Sequence, residues 1–130
     1  YAKKTETSIY VCMHASTEAL RKVHPREHAF EGLPIPPSGA DAEGGGKWIN
    51  RCDDFITVHR YTQSETEWMY TEVHVKKVKE TETGGRPTFL NNPVKFLLNN
   101  GTQFLCAGKN ALESDTVGIQ SSNLQPNTEF

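Results

Sequence analysis

The sequence has few apolar residues and no long apolar run. Hydrophobic residues make up only 35% of the 130 positions, and no stretch approaches the roughly 20 apolar residues that a transmembrane helix needs. The segment YAKKTETSIYV at the start also lacks the apolar core of a secretory signal. We therefore expect no membrane partner, and one domain at most.

Cysteine is also scarce. The three cysteines, Cys12, Cys52 and Cys106, are scattered and form no C-x-x-C pair. This spacing favours neither a disulfide framework nor a zinc site. We expect free thiols in a reducing cytoplasm.

Neither sign of charge dominates the chain. Lys and Arg number 14 against 16 acidic residues, so any contact with a polyanion must come from a local basic patch. Two such patches exist, RKVHPR at 21–26 and KKVK at 76–79. Each is typical of an ordinary solvated surface or of a surface that contacts a nucleic-acid backbone.

The stretch EGGGKWINRCDDF at 43–55 is not a phosphate-binding loop. That motif is G-x-x-x-x-G-K-[ST]. Gly46 and Lys47 fit it, but Asp41 stands at the first glycine and Trp48 at the hydroxyl position. We expect these glycines instead to form the turn that leads into a short helix.

No metal site is predicted. His24 and His28 are four residues apart, but Pro25 between them makes a shared helical face doubtful. No other spacing resembles a known set of metal ligands.

The apolar pattern predicts a β-rich chain with one or two short helices. A helix is expected after Ser16 or Thr17, followed by a long Pro- and Gly-rich loop. Strands are expected at 8–14, 54–61 and 68–80, and a hairpin over 92–106 around Asn100-Gly101. Tyr70, Glu72, His74 and Lys76 should share one strand face. The first strand has no preceding element, as expected of the second half of a domain.

This order of elements resembles a known family. A strand ending in His14, a long loop, EGGGKWINRCDDFITVHR and VHVKKVKETETGG together resemble the C-terminal half of a DnaB-like hexameric replicative helicase core. That family includes phage primase-helicases and Twinkle-type enzymes. The likeness covers 41–60 and 72–85 without gaps, and 8–14 and 87–105 more loosely.

The resemblance implies a fold. We expect an α/β chain in which residues 1–112 form the C-terminal part of a RecA-like core. That part would be a β-rich mixed sheet with one or two short helices and a C-terminal hairpin. Residues 113–130 would be a flexible polar tail.

The resemblance also implies site residues. Two would sense the nucleotide phosphate, namely His14 and Asn50. Two would act on a neighbouring subunit's nucleotide in the manner of an arginine finger, namely Lys77 and Lys79. Three would contact single-stranded DNA, namely Arg21, Lys22 and Arg26. The chain departs from the family in having asparagine for a longer glutamine and lysine for the finger arginine, which loses the bidentate fork.

No Walker A lysine, Walker B aspartate or catalytic glutamate has a matching context in the sequence. ATP and Mg²⁺ are therefore expected only in a full-length parent, a hexameric ring in the cytoplasm of a bacterium or of a phage-infected cell. The chain alone should bind neither and be inactive. Two other readings stay open. One is a small stand-alone module that binds single-stranded nucleic acid without catalysis, and the other is a structural or interaction protein.

Overall fold

The computed structural model describes residues 2–110 and 112. The contacts within the chain divide it into two compact units. We call Tyr1–Thr57 with Val75–Pro87 the loop unit, and Val58–His74 with Thr88–Phe130 the hairpin unit. The elements in chain order are α1 Ala2–Thr5, α2 Thr17–Leu20, a 3₁₀ turn Gly39–Asp41, α3 Lys47–Arg51, β1 Asp54–His59, β2 Tyr70–Val78, α4 Thr81–Gly84, β3 Val94–Asn99, β4 Gln103–Cys106 and β5 Lys109–Asn110.

The predicted α/β class is confirmed. One open sheet has the strand order β1-β2-β3-β4-β5. Three neighbouring pairs, from β2 through β5, are antiparallel, where a mixed sheet was expected. Within the described residues four α-helices accompany the sheet, rather than one or two. Each has only four or five residues, too few for an apolar period to predict.

The strand predicted at 8–14 is wrong. The structure has no regular element there, and the side chains of Ile9, Tyr10 and Val11 are 58%, 89% and 61% exposed. Branched and aromatic residues fit a strand, but a strand also needs a neighbour to complete its hydrogen-bond ladder. Among residues 2–110 and 112, the β-type pairing next to this segment is one isolated bridge, between Ala15 and Ala42, which begins just after it.

The predicted hairpin is confirmed, with its turn at Asn100-Gly101. Both turn residues have positive φ, 54° and 73°, a conformation that asparagine and glycine tolerate best. The N–H of Thr102 donates to the carbonyl of Asn99 at 3.1 Å. This turn sets the register in which Leu97 faces Leu105.

A second tight turn was missed. Ala107 and Gly108 also have positive φ, 55° and 84°, and they lead into β5. In that conformation the Cβ of alanine comes too close to the following carbonyl oxygen. Ala-Gly is therefore a weaker turn signal than Asn-Gly.

The interior of the hairpin unit is polar. Glu72 and His74 are 5% and 4% exposed, and His74 Nε2 lies 2.9 Å from Glu72 Oε1. The predicted shared face of these two residues is confirmed. Tyr61 is 4% exposed, and its burial, with the charges of Glu72 and Glu67, raises its pKa to about 12.

The loop unit depends on caps and polar contacts. Ser16 caps α2, as predicted, by accepting from the N–H of Ala19 at 3.2 Å. Lys22 Nζ lies 2.9 Å from Asp41 Oδ1, and Asp41 also accepts from the N–H and hydroxyl of Ser38. Gly39 is buried where a Cβ would collide with Ile49. Among the residues described, no helix is long and apolar enough to cross a membrane.

Candidate functional site

The glycine run opens α3, as the sequence predicts. Gly44 and Gly45 have φ of 97° and 85°, which favours glycine at both positions. At Gly44 space is short too, because a Cβ would meet the indole nitrogen of Trp48. That nitrogen donates to the carbonyl of Glu43 at 3.0 Å and holds the turn beneath the helix. Gly46 is then the N-cap of α3.

Lys77 joins the end of β2 to the end of α3. Its Nζ donates to the carbonyl of Ile49 at 2.6 Å and lies 3.5 Å from the carbonyl of Asn50. The last carbonyls of a helix lack partners within the helix, and a cation there satisfies them. Lys77 is half-buried and Asn50 is exposed. Lys77 therefore holds the helix that carries Asn50 against β2.

Lys79 is held more weakly. Its Nζ lies 3.4 Å from Asp53 Oδ1, with the lysine side chain 51% and the aspartate side chain 69% exposed. Its main-chain N–H donates to Asp54 Oδ1 at 3.3 Å. Exposed ion pairs contribute roughly 0–1 kcal/mol, so the Lys79 ammonium can exchange Asp53 for a more strongly charged partner.

An open cleft of about 330 Å³ adjoins Lys79. Its lining includes three carboxylates, from Asp53, Asp54 and Glu80, against the single ammonium of Lys79. A phosphate placed there would meet repulsion from the carboxylates. In the described part of the chain, no group of three or more His, Cys, Asp or Glu side chains could hold a metal ion.

The loop cations predicted for DNA differ in their availability. Lys22 is paired with Asp41, and the Lys22 ammonium, followed by the N–H of Ser38, lowers the pKa of that carboxyl. Arg21 ends α2 through its main-chain N–H and is exposed, as is Arg26. His14 is exposed, and its carbonyl accepts from the N–H of Glu43 at 2.9 Å.

The structure thus brings together three of the seven predicted residues, Asn50, Lys77 and Lys79, around α3 and the end of β2.

The structure also contains an aromatic cluster that the sequence did not predict. The rings of His24 and His28 stack with centroids 4.0 Å apart and planes 12° apart. Phe30 lies 6.0 Å and 5.8 Å from them, tilted.

The signal for this cluster was present but misjudged. Pro25 argues against a pair of histidines on one face of a helix, but it does not argue against a pair brought together by a turn. A tight turn instead folds His28 back onto His24.

Comparisons with protein-family models, with curated proteins and with solved structures find no match to this chain.

Proposed function

We propose that the chain is the C-terminal part of the RecA-like motor of a DnaB-like, ring-forming, ATP-dependent replicative DNA helicase. Its contribution is a set of phosphate-sensing, trans-acting basic and DNA-contacting residues. One observation carries the proposal. Lys77 fastens the helix that bears Asn50 to the strand end that bears Lys79. The Asn50 amide and the weakly paired Lys79 ammonium, both predicted to act on a nucleotide, are therefore parts of one local structure.

The two lysines have different roles in this proposal. Lys77 is a positioning residue, because its ammonium already binds two main-chain carbonyls of α3. Lys79 is the finger-like residue, because its only ionic partner among the described residues, Asp53, is largely exposed. Because the Lys79 side chain is half exposed, its ammonium can leave Asp53 and reach a phosphate outside the acidic cleft, on a neighbouring subunit's nucleotide.

The described residues do not by themselves fit ATP or Mg²⁺. The cleft beside Lys79 is mainly acidic, and no set of metal ligands occurs among residues 2–110 and 112. In the proposal, the nucleotide and its metal are held by parts of the helicase other than these residues. His14 and Asn50 sense the phosphate, and Arg21, Lys22 and Arg26 face single-stranded DNA.

A second candidate is a stand-alone module that binds single-stranded nucleic acid without catalysis. The stacked rings of His24 and His28, beside the exposed Arg26, favour it. The coding region upstream of Tyr1 separates the two candidates. A strand followed by G-x-x-x-x-G-K-[ST] is expected there for the helicase, and its absence would leave the module as the better account.

The residue-level test is Lys79→Ala in the full-length polypeptide. We expect ATP hydrolysis to fall by about 10³-fold or more, the range for losing a finger cation, while nucleotide binding is retained. Lys95→Ala is the matched control, because Lys95 is also a partly exposed lysine with one carboxylate partner, Glu67 at 2.8 Å. Wild-type hydrolysis in Lys79→Ala would show that the finger role is wrong.

A further inference from the structure

Residues 23–34, the histidine loop, form a closed and well-bonded turn within the loop unit. Isolated bridges join Val23 to Pro34 and His24 to Glu31. The N–H of His24 donates to the carbonyl of Leu33 at 2.9 Å. These bonds hold the two ends of the loop together.

The tip is shaped by one unfavourable residue. The N–H of His28 donates to the carbonyl of Pro25 at 3.3 Å, which closes a four-residue turn. Glu27, at the third position of that turn, has φ of 72°, a conformation that favours glycine or asparagine. Such backbone strain costs on the order of 1 kcal/mol. Its consequence is that His28 returns over the ring of His24.

The stacked pair presents one ring face outward. The inner face of His28 lies on His24, which is half-buried, whereas His28 itself is exposed. Its Nδ1 accepts the N–H of Phe30 at 3.0 Å, which fixes the orientation of the ring. Phe30 lies beside both rings and supports them. A flat, oriented and accessible aromatic face is therefore ready before any ligand arrives.

The histidine loop contains one arginine, Arg26, and two glutamates, Glu27 and Glu31. Arg26 is exposed two residues before His28. Of the two acidic residues in the loop, Glu31 uses its Oε1 to accept the N–H of Glu27 at 3.2 Å, so one carboxylate is directed at the main chain. Lys22 is engaged with Asp41. One aromatic face with one available arginine matches a single base and its adjoining phosphate.

We propose that the histidine loop stacks one unpaired base of single-stranded DNA on the outer face of His28, with Arg26 on the neighbouring phosphate. This site deepens the proposed function, and it rests on that function for the choice of DNA as ligand. It adds base stacking to a loop for which only backbone contact was expected. Stacking on an aromatic ring accepts any base, because every base has a π face.

The test compares two probes with the full chain. Fluorescence anisotropy measures the affinity of a labelled oligothymidylate and of an abasic oligomer of the same length. We expect His28→Ala to weaken oligothymidylate binding about tenfold and to leave abasic binding unchanged. His28→Phe should restore it, because it keeps the ring and loses only the bond to the Phe30 N–H. Arg26→Gln should weaken both probes alike and lower the salt slope by about one.

Three results would overturn the stacking site. The first is equal affinity of the wild-type chain for the two probes, which includes the case that neither probe binds. The second is an equal loss of affinity for both probes in His28→Ala. The third is a failure of His28→Phe to restore the binding of oligothymidylate. Each would leave the helicase proposal standing if the full-length polypeptide hydrolyses ATP. Conversely, base-dependent binding by the chain together with a full-length polypeptide that lacks ATPase activity would overturn the helicase and keep the stacking site.

Discussion

Different kinds of contact stabilise the interior of the hairpin unit and the interior of the loop unit. In the hairpin unit, strands pair in a fixed register and a carboxylate and an imidazole are buried against each other. In the loop unit, helices of four or five residues are held by caps, by the pair of Lys22 with Asp41 and by Lys77 on the carbonyls of α3.

This contrast indicates which unit contains the functional residues. All seven predicted site residues and the stacked histidines belong to the loop unit. Ligand-binding segments are commonly drawn from the less stable parts of a protein, because they must adapt to what they bind. The hairpin unit contributes stability by its strand ladder, and its buried Glu72 and His74 side chains already hydrogen-bond to each other.

The largest effect should come from the buried pair. In His74→Ala, Glu72 loses its buried hydrogen-bond partner, and stability should fall by about 3 kcal/mol, the upper end for leaving a buried polar group unsatisfied. The control is Lys95→Ala, which removes the cation from the more exposed Glu67 pair and should cost under about 1 kcal/mol. Urea unfolding measures both. Equal losses would remove the distinction between a buried and a surface pair.

The next effect tests the close packing of the loop unit. Gly39→Ala puts a methyl group against Ile49 of α3, and we expect a loss of about 2 kcal/mol from overpacking. Gly46→Ala is the matched control, because Gly46 has an ordinary φ of −69° and open space around its Cβ position. Urea unfolding of both variants gives the comparison. A Gly39→Ala protein as stable as Gly46→Ala would show that α3 is not packed on the 3₁₀ turn.

The smallest effect concerns the phenol in the hairpin unit. Burial raises the pKa of Tyr61 from about 10 to about 12, so between these values the unfolded chain loses the Tyr61 proton and the folded chain keeps it. The folded state binds more protons there, and stability should fall as pH rises from 10 to 12. Tyr61→Phe should lessen that fall.

Absorbance of tyrosinate checks the same pKa directly. Tyr61→Phe identifies the part of the absorbance change that belongs to this phenol. Ionisation of Tyr61 at its ordinary pKa of about 10 would contradict the buried position of the phenol.

Local signals predicted much of the fold. The alternation of 70–78, the Asn-Gly turn, the serine cap of α2 and the glycines before α3 each depend on neighbouring residues, and each is confirmed. Segment 8–14 has the same kind of local signal, but whether a strand forms depends on a partner that local sequence does not reveal.

The candidate site depended more on distant contacts. The resemblance to the helicase family suggested Asn50 and the lysines. The sequence could not reveal that Lys77 binds α3, 28 residues away, or that Lys22 binds Asp41, 19 residues away. The stack of His24 on His28 depends on the left-handed backbone of Glu27. Glutamate rarely adopts this conformation, so the sequence does not predict it there.

The central claim is that this chain belongs to a DNA-driven ATPase. The most direct measurement is ATP hydrolysis by the full-length polypeptide with and without single-stranded DNA, beside the same assay on this chain alone. The account predicts hydrolysis that rises with single-stranded DNA for the full-length polypeptide and none for the chain alone. A full-length polypeptide that neither binds nor hydrolyses ATP would contradict it.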